Sequence, residues 1–305
     1  MSDEKIEAFQ ILQAFARKWV RARAYAVAFD RVKGHRTLWT WGAFLGLLLL
    51  PAHAMDARGQ GISERVSEIL SQFQSGDWHQ REEGFESLRG LSAAAPRSSA
   101  SAMSSELEGL FQRVPNQEDS IRLALIRLLV TENAKVKSAP IGSLSEDFMN
   151  YWGDLIVVVA GLRDRRAIAT LIDDLPNGGG AIAGVAAFGR EALPAVLQLL
   201  GDAAMGVRVS SLLTLSAMLD LKSESMLDPQ SRAKIKAALL NGSADREYGV
   251  RISAIQGLAK IAGEDVSEVL RRIAAKDPFV RRPGPGGQPE YYPVREAAKA
   301  VLAKR

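Results

Sequence analysis

One short word recurs along this chain: an arginine, usually after an aliphatic residue, with a leucine seven positions later. It stands at Gln80-Arg81 to Leu88, Ile121-Arg122 to Leu129, Val207-Arg208 to Leu215, Val250-Arg251 to Leu258 and Val294-Arg295 to Leu302. The arginines lie 41, 86, 43 and 44 residues apart, and 86 is twice 43. A period near 43 is that of stacked two-helix units. One such unit cannot bury its apolar side alone, so neighbours must stack to share a core. The spacing therefore predicts an all-α fold, an α-solenoid of antiparallel helix pairs. About five or six repeats fit residues 55–305 at that period.

Each copy of the word is helical in rhythm. Val207, Leu212, Leu215 and Leu219 recur at helical spacing and form one apolar face. Three positions after the arginine the residue is small in four copies (Gly84, Ser211, Ala254, Ala298) and Leu125 in the fifth. A small residue there lets a neighbouring helix come close. Partner helices are expected at Ile62–Phe73, Ser104–Val114, Leu155–Leu162, Ala167–Leu175, Ala192–Leu200, Arg232–Leu240 and Val266–Ile273, with Gly, Pro and Asp clustering between them. Leu155-Ile156-Val157-Val158-Val159 is rich in β-branched residues, but its neighbours are helical, so it reads as a buried helix. Ala181 to Gly189 fits the template with alanine in the arginine slot, 27 residues before Arg208, which leaves the register between 130 and 205 open.

The pattern Val-Arg-x-x-Ala-x-x-x-Leu, with Gly189-Arg190-Glu191-Ala192-Leu193-Pro194 after a template helix, resembles the HEAT family. It is most similar to the HEAT-like repeats of phycobilisome (PBS) lyases, over roughly residues 62–305. The resemblance is sharpest at Val250–Gly263 and Val294–Leu302. It implies an armadillo-type superhelix that binds protein partners along a concave face. It also brings a second expectation, a lyase-like or chaperone-like handler of a cofactor. Fold alone does not choose, because this architecture serves many tasks. Covalent bilin attachment is excluded, because the chain has no cysteine.

Missing cysteine also excludes disulfides, thiolate zinc sites and thiol nucleophiles. Beyond residue 54 the only histidine is His79, too few for a histidine-based metal site or triad. Asp173-Asp174 and Glu82-Glu83 are adjacent acids that point in different directions on a helix, and they read as solvated surface. No catalytic residue, metal ligand or cofactor is therefore expected, and an enzyme is not. Asn177-Gly178-Gly179-Gly180 lacks the lysine and hydroxyl of a P-loop and reads as an inter-repeat turn. Arg81, Arg122, Arg208, Arg251 and Arg295 are expected to be structural, paired with turn acids such as Asp77, Asp119 and Asp245, since interface arginines are normally paired. Residues 277–293 hold five prolines and three glycines and cannot be helical. This insertion presents Arg281, Arg282, Tyr291 and Tyr292, residue types enriched at binding hot spots, and is the candidate contact with a protein partner. Tyr151-Trp152 reads as core.

The net charge of +4 is unevenly placed: residues 1–54 carry eight basic and four acidic side chains, which leaves residues 55–305 neutral. A neutral body lacks the cationic surplus that nucleic-acid binding needs. Val32-Lys33-Gly34-His35-Arg36, then apolar Leu38 to Leu50, then Pro51-Ala52-His53-Ala54 follow the order of an export signal, with Ala52 and Ala54 as the small residues of a cleavage site. The apolar run is short for a membrane span. Residues 1–54 are thus expected to be a signal or signal anchor, and 55–305 the repeat domain, outside the cytoplasm. Membrane contact would run only through residues 38–54 if they are retained. Residues 1–31 read as a basic amphipathic helix (Ile6, Phe9, Leu12, Phe15, Trp19), or else translation starts near Val32.

Overall fold

A computed structural model describes residues 52–92, 100–140, 142–221, 226–281 and 290–305. The chain divides into two compact units, Met1–Arg58 and Gly59–Arg305. Of the first, only the opening turns of helix α1 (Ala52–Gln72) are described. The segment Leu38–Pro51 lies outside the described residues. No helix among the described residues is long and apolar enough to cross a membrane.

After α1 come α2 (Trp78–Ser92), α3 (Ala100–Arg113), α4 (Glu118–Ser138), α5 (Glu146–Gly161), α6 (Ile168–Asp173) and α7 (Gly180–Ala187). They are followed by α8 (Leu193–Gln198), α9 (Met205–Met218), α10 (Pro229–Gly242), α11 (Tyr248–Leu258), α12 (Glu264–Lys276) and α13 (Pro293–Leu302). Short 3₁₀ turns join several of them. The starts are set by local chemistry. Ser145 accepts a hydrogen bond from the Phe148 amide at α5, and Asp228 accepts one from Ser231 ahead of Pro229 at α10.

The fold is an all-α solenoid. Helices α3, α5, α7, α9, α11 and α13 pack one on the next in a single row. Against that row lie α2 on α3, α4 on α5, α6 on α7, α8 on α9, α10 on α9 and α11, and α12 on α13. The seam of the row is apolar and closed to solvent: Leu155 and Val159, Ala181 and Val185, Leu212 and Leu215, Ala254 and Leu258, Val294 and Ala298 are all buried. Each large aliphatic side chain so buried contributes roughly 1.5–3 kcal/mol. The β-branched run of α5 is helical, and Leu155, Ile156, Val158 and Val159 are buried within it.

Close approach is built in with small residues. A Cβ at Gly84 would stand 3.0 Å from the Cβ of Gln72, where α1 meets α2. At Gly184 a Cβ would collide with that of Ala160, where α7 crosses α5.

The row differs from the sequence reading in its register. Arg208, Arg251 and Arg295 sit in α9, α11 and α13, members of the row, but Arg81 and Arg122 sit in α2 and α4, which lie against it. From α4 to α9 is five helix steps, not the four that two equal repeats would take. The extra step fits within 86 residues because α6 and α8 are six residues long and α7 is eight. Pro176 and the left-handed Gly178 and Gly179 separate α6 from α7, the left-handed Gly189 follows the end of α7, and Pro194 stands in the first turn of α8. Accordingly α5, expected as a partner helix, enters the row. So does α7, with Ala181 in its arginine slot.

Candidate functional site

The template arginines of the row form a ladder. Arg208 donates from Nε and Nη2 to the two carboxylate oxygens of Asp245, each at 3.0 Å, and from Nη1 to the carbonyls of Asp202 and Ala203 at 2.8 and 3.0 Å. Arg251 repeats this one step on: Nε and Nη2 to Asp277 at 2.8 and 3.0 Å, and Nη1 to the carbonyls of Asp245 and Arg246 at 2.9 and 3.1 Å. Arg295 donates from Nε to the carbonyl of Asp277 at 2.7 Å. Asp245 and Asp277 each also hold their own turn, by accepting from the amides of Glu247 and Phe279. Burial pushes the Asp245 carboxyl up, but the Arg208 hydrogen bonds and the Glu247 amide outweigh it and hold it below its ordinary value.

Asp202 accepts in the same way from the Ala204 amide at 2.7 Å, but Ala181 supplies no arginine to it. The ladder therefore starts at Arg208. Of the turn acids expected as partners, Asp245 binds a template arginine. Asp77 accepts instead from the His79 amide, and Asp119 pairs with Arg166.

The two earlier arginines are spent elsewhere. Arg81 grips Glu132 of α4 with Nε and Nη2 at 2.6 and 2.9 Å, both side chains being buried, and donates Nη1 to the Ser75 carbonyl. Tyr151 of α5 donates its hydroxyl to the same Glu132. The Glu132 hydrogen bond raises the Arg81 pKa, and burial, then the Glu132 charge, raise that of Tyr151. Arg122 bonds Glu118, Glu108 and the Leu162 carbonyl, with Phe111 beneath its guanidinium.

Next to Glu132, Asn133 continues the buried polar core. Its Oδ1 accepts from Trp152 Nε1 at 2.8 Å and its Nδ2 donates to Asp174 at 2.8 Å. Asp174 is 1% exposed, which corrects its reading as solvated surface. Its neighbour Asp173 is on the surface, paired with Lys137. Burial pushes the Asp174 carboxyl up to about 7, against the lowering effect of the Asn133 bond. Tyr151 and Trp152 are buried, as core residues. Glu132 and Asn133 were not singled out from the sequence, and Asp174 was singled out only as surface. The signal available was position: Glu132 continues the buried stripe Ile121, Leu125, Leu128 of α4.

The insertion is fixed at both stems. Arg281 and Tyr291 exchange backbone hydrogen bonds of 2.8 and 3.2 Å as one antiparallel bridge. On the entering side, Phe279 stacks on Tyr248 of α11, with rings 3.9 Å apart and 7° from parallel. On the leaving side, the Tyr292 ring lies 4.2 Å beneath the Arg295 guanidinium, and its hydroxyl donates to Glu290. Tyr291 is half exposed. Arg282, the remaining candidate contact, lies outside the described residues.

His79 is exposed, its ring tilted 33° against that of Trp78, with Glu82 at 4.0 Å. Among the described residues no cluster of three or more potential ligands could hold a metal ion. Asn177–Gly180 is a turn, with positive φ at Gly178 and Gly179, that delivers the chain into α7. Ala52 and Ala54 stand in the first turn of α1. A cleft of about 540 Å³ opens between α8, α9 and α10, lined by Leu197, Leu200, Leu212, Ala237 and Ala238, with Arg208 and Asp245 spent on each other and Lys234 and Asn241 exposed.

No family model matches the sequence, and no curated protein matches it. Solved structures do. The designed armadillo repeat protein YIII(Dq.V1)4CPAF in complex with peptide (KR)4 is similar at 14% identity, over 77% of this chain and 97% of that one, with a TM-score of 0.40. Computationally designed armadillo repeat proteins for modular peptide recognition are similar at 18% identity, over 77% and 98%, with a TM-score of 0.39. The designed armadillo repeat protein YIII(Dq)4CqI shows 16% identity over 77% and 98%, with a TM-score of 0.40.

Proposed function

We propose that residues 55–305 form a non-catalytic protein-binding scaffold of HEAT-like repeats, and that the 277–293 insertion is part of its contact surface. The observation that carries this reading is the seating of the insertion. Phe279 on Tyr248 and Tyr292 under Arg295 anchor the two stems of a proline- and glycine-rich segment to the last two helices of the row, and the Arg281–Tyr291 bridge ties the stems to each other, while Tyr291 stays half exposed. Long loops held by a rigid scaffold are where binding residues concentrate. The polar chemistry of the repeats supports the same reading, since Arg81, Arg208 and Arg251 and their acids are consumed in holding helices together. The test is affinity capture with the full chain and with a variant lacking Pro283–Gln288. Loss of the captured protein at unchanged melting temperature supports the reading. Unchanged capture removes the insertion from it.

We further propose that the repeat domain acts outside the cytoplasm. The basic run before Leu38, the apolar run to Leu50 and the Ala52-His53-Ala54 triplet support export. A second reading keeps residues 38–54 as an uncleaved anchor. In that second reading the protein is a membrane-tethered assembly factor. N-terminal sequencing of the exported protein separates the two: a first residue of Met55 means cleavage, and a longer N-terminus means an anchor.

A further inference from the structure

The ladder has a repeating rule. In its first two rungs the guanidinium takes a carbonyl from its own turn and a carboxylate from the next turn along the row. Arg295 also takes a carbonyl from its own turn, that of Asp277, but on Nε where the earlier rungs use Nη1. For the second half, no carboxylate among the described residues meets the terminal nitrogens Nη1 and Nη2. Those nitrogens are nonetheless held in place, because the Tyr292 ring supports the guanidinium plane from below and Nε is tied down. A planar donor fork fixed in this way suits bidentate capture of a carboxylate.

We propose that Arg295, backed by Tyr292, is a carboxylate-binding position that receives an aspartate or glutamate side chain of an acidic partner segment. The partner's acid meets Nη1 and Nη2, the edge that Nε leaves over, and supplies the carboxylate that Asp245 and Asp277 supply to the rungs before it. Charge agrees: residues 264–305 hold nine basic and six acidic side chains, whereas residues 55–305 as a whole are neutral. Steering of an acidic segment toward this end follows from that local surplus. Tyr291, half exposed, precedes Tyr292 in the chain and belongs to the stem that the Arg281 bridge fixes. The proposal rests on the scaffold reading above and names the chemistry of its partner.

The experiment uses the full chain and a dye-labelled oligopeptide of alternating aspartate and glutamate, with its asparagine–glutamine counterpart as the comparison. Binding is read by fluorescence anisotropy. Wild type is expected to prefer the acidic peptide. Arg295→Gln should weaken its binding by about tenfold or more, the scale of a charge-assisted bidentate pair. Arg295→Lys, which keeps the charge and the fold but not the fork, should fall between the two. Arg271→Gln, at an exposed arginine of α12 paired with Glu264, should leave binding unchanged. Equal affinity of wild type, Arg295→Lys and Arg295→Gln overturns the proposal, as does an absence of preference for the acidic over the amide peptide. The Pro283–Gln288 deletion distinguishes this outcome from failure of the scaffold reading. Acidic-peptide binding that depends on Arg295, together with cellular capture indifferent to the deletion, upholds the carboxylate position and removes the insertion.

Discussion

Asp245 binds Arg208 through its side chain and Arg251 through its backbone: both carboxylate oxygens accept from Arg208 at 3.0 Å, while the carbonyl of the same residue accepts from Arg251 at 2.9 Å. One residue thereby joins α9 to the turn before α11 and that turn to α11 itself. Asp245→Ala removes the acceptor from a guanidinium that has little access to water and also releases the Glu247 amide. We expect a loss of about 2–3 kcal/mol in urea unfolding, below the roughly 3–5 kcal/mol of a fully buried pair because Asp245 is partly exposed. Arg251→Met added to it should show a coupling of at least ~0.5 kcal/mol, because the two share one turn. Strict additivity would remove the ladder as a cooperative unit.

Arg81 and Glu132 form the most deeply buried ion pair among the described residues. Glu132→Gln leaves Arg81 charged with half its fork unmatched and should destabilise by about 3 kcal/mol. Arg81→Met combined with Glu132→Leu removes both charges and should cost less than either single change. A double variant worse than both singles would mean that the pair contributes net stability.

The contribution of Asp174 to stability should fall as pH rises toward neutrality. Its carboxyl titrates near 7 in the folded chain and near its ordinary value of 3.8 when unfolded. Between those values the folded state holds the extra proton, so the contribution is fully present below pH 4, declines through pH 7, and is gone above it. Asp174→Asn keeps the acceptor for Asn133 and cannot ionise. It should flatten that decline and raise stability at pH 8 by on the order of 2 kcal/mol. Melting temperatures of both chains from pH 4 to 8 provide the measurement, and parallel curves would refute the assignment.

At the crossing of α5 and α7, Gly184→Ala should cost about 1–3 kcal/mol through overpacking against Ala160. Ala160→Gly should recover most of that loss in the double variant. Recovery identifies the contact itself, since neither glycine nor alanine carries a polar group that would otherwise explain it.

Helices and their apolar stripes were legible in the sequence because they depend on local spacing; Leu88, Leu129, Leu215 and Leu258 all lie in the core where that spacing places them. Which row a helix joins was not legible. An arginine, a small residue and a leucine at these intervals suit either side of a helix pair, so Arg81 in α2 and Arg208 in α9 are written alike. Row membership depends on how many helices intervene, and the short α6, α7 and α8 hide that count. Pairing was partly legible. Asp245 was nominated by its place in a turn, whereas Asp277 stands far in sequence from the arginine it binds next to the insertion, and Glu132 lies within a helix. The stems of the insertion could not be read either, because the Arg281–Tyr291 bridge depends on where two flanking aromatics, Phe279 and Tyr292, find surfaces to lie on.

The distance from a turn aspartate to its own arginine is six residues at Asp245 and Arg251, and eighteen at Asp277 and Arg295, yet the carbonyl bond is made in both. The stack thus accepts a dozen or so added residues at this joint without losing the rung. That marks the Arg281–Tyr291 stem as a graft point, where foreign recognition sequences can be exchanged while the helical spine beneath stays as it is.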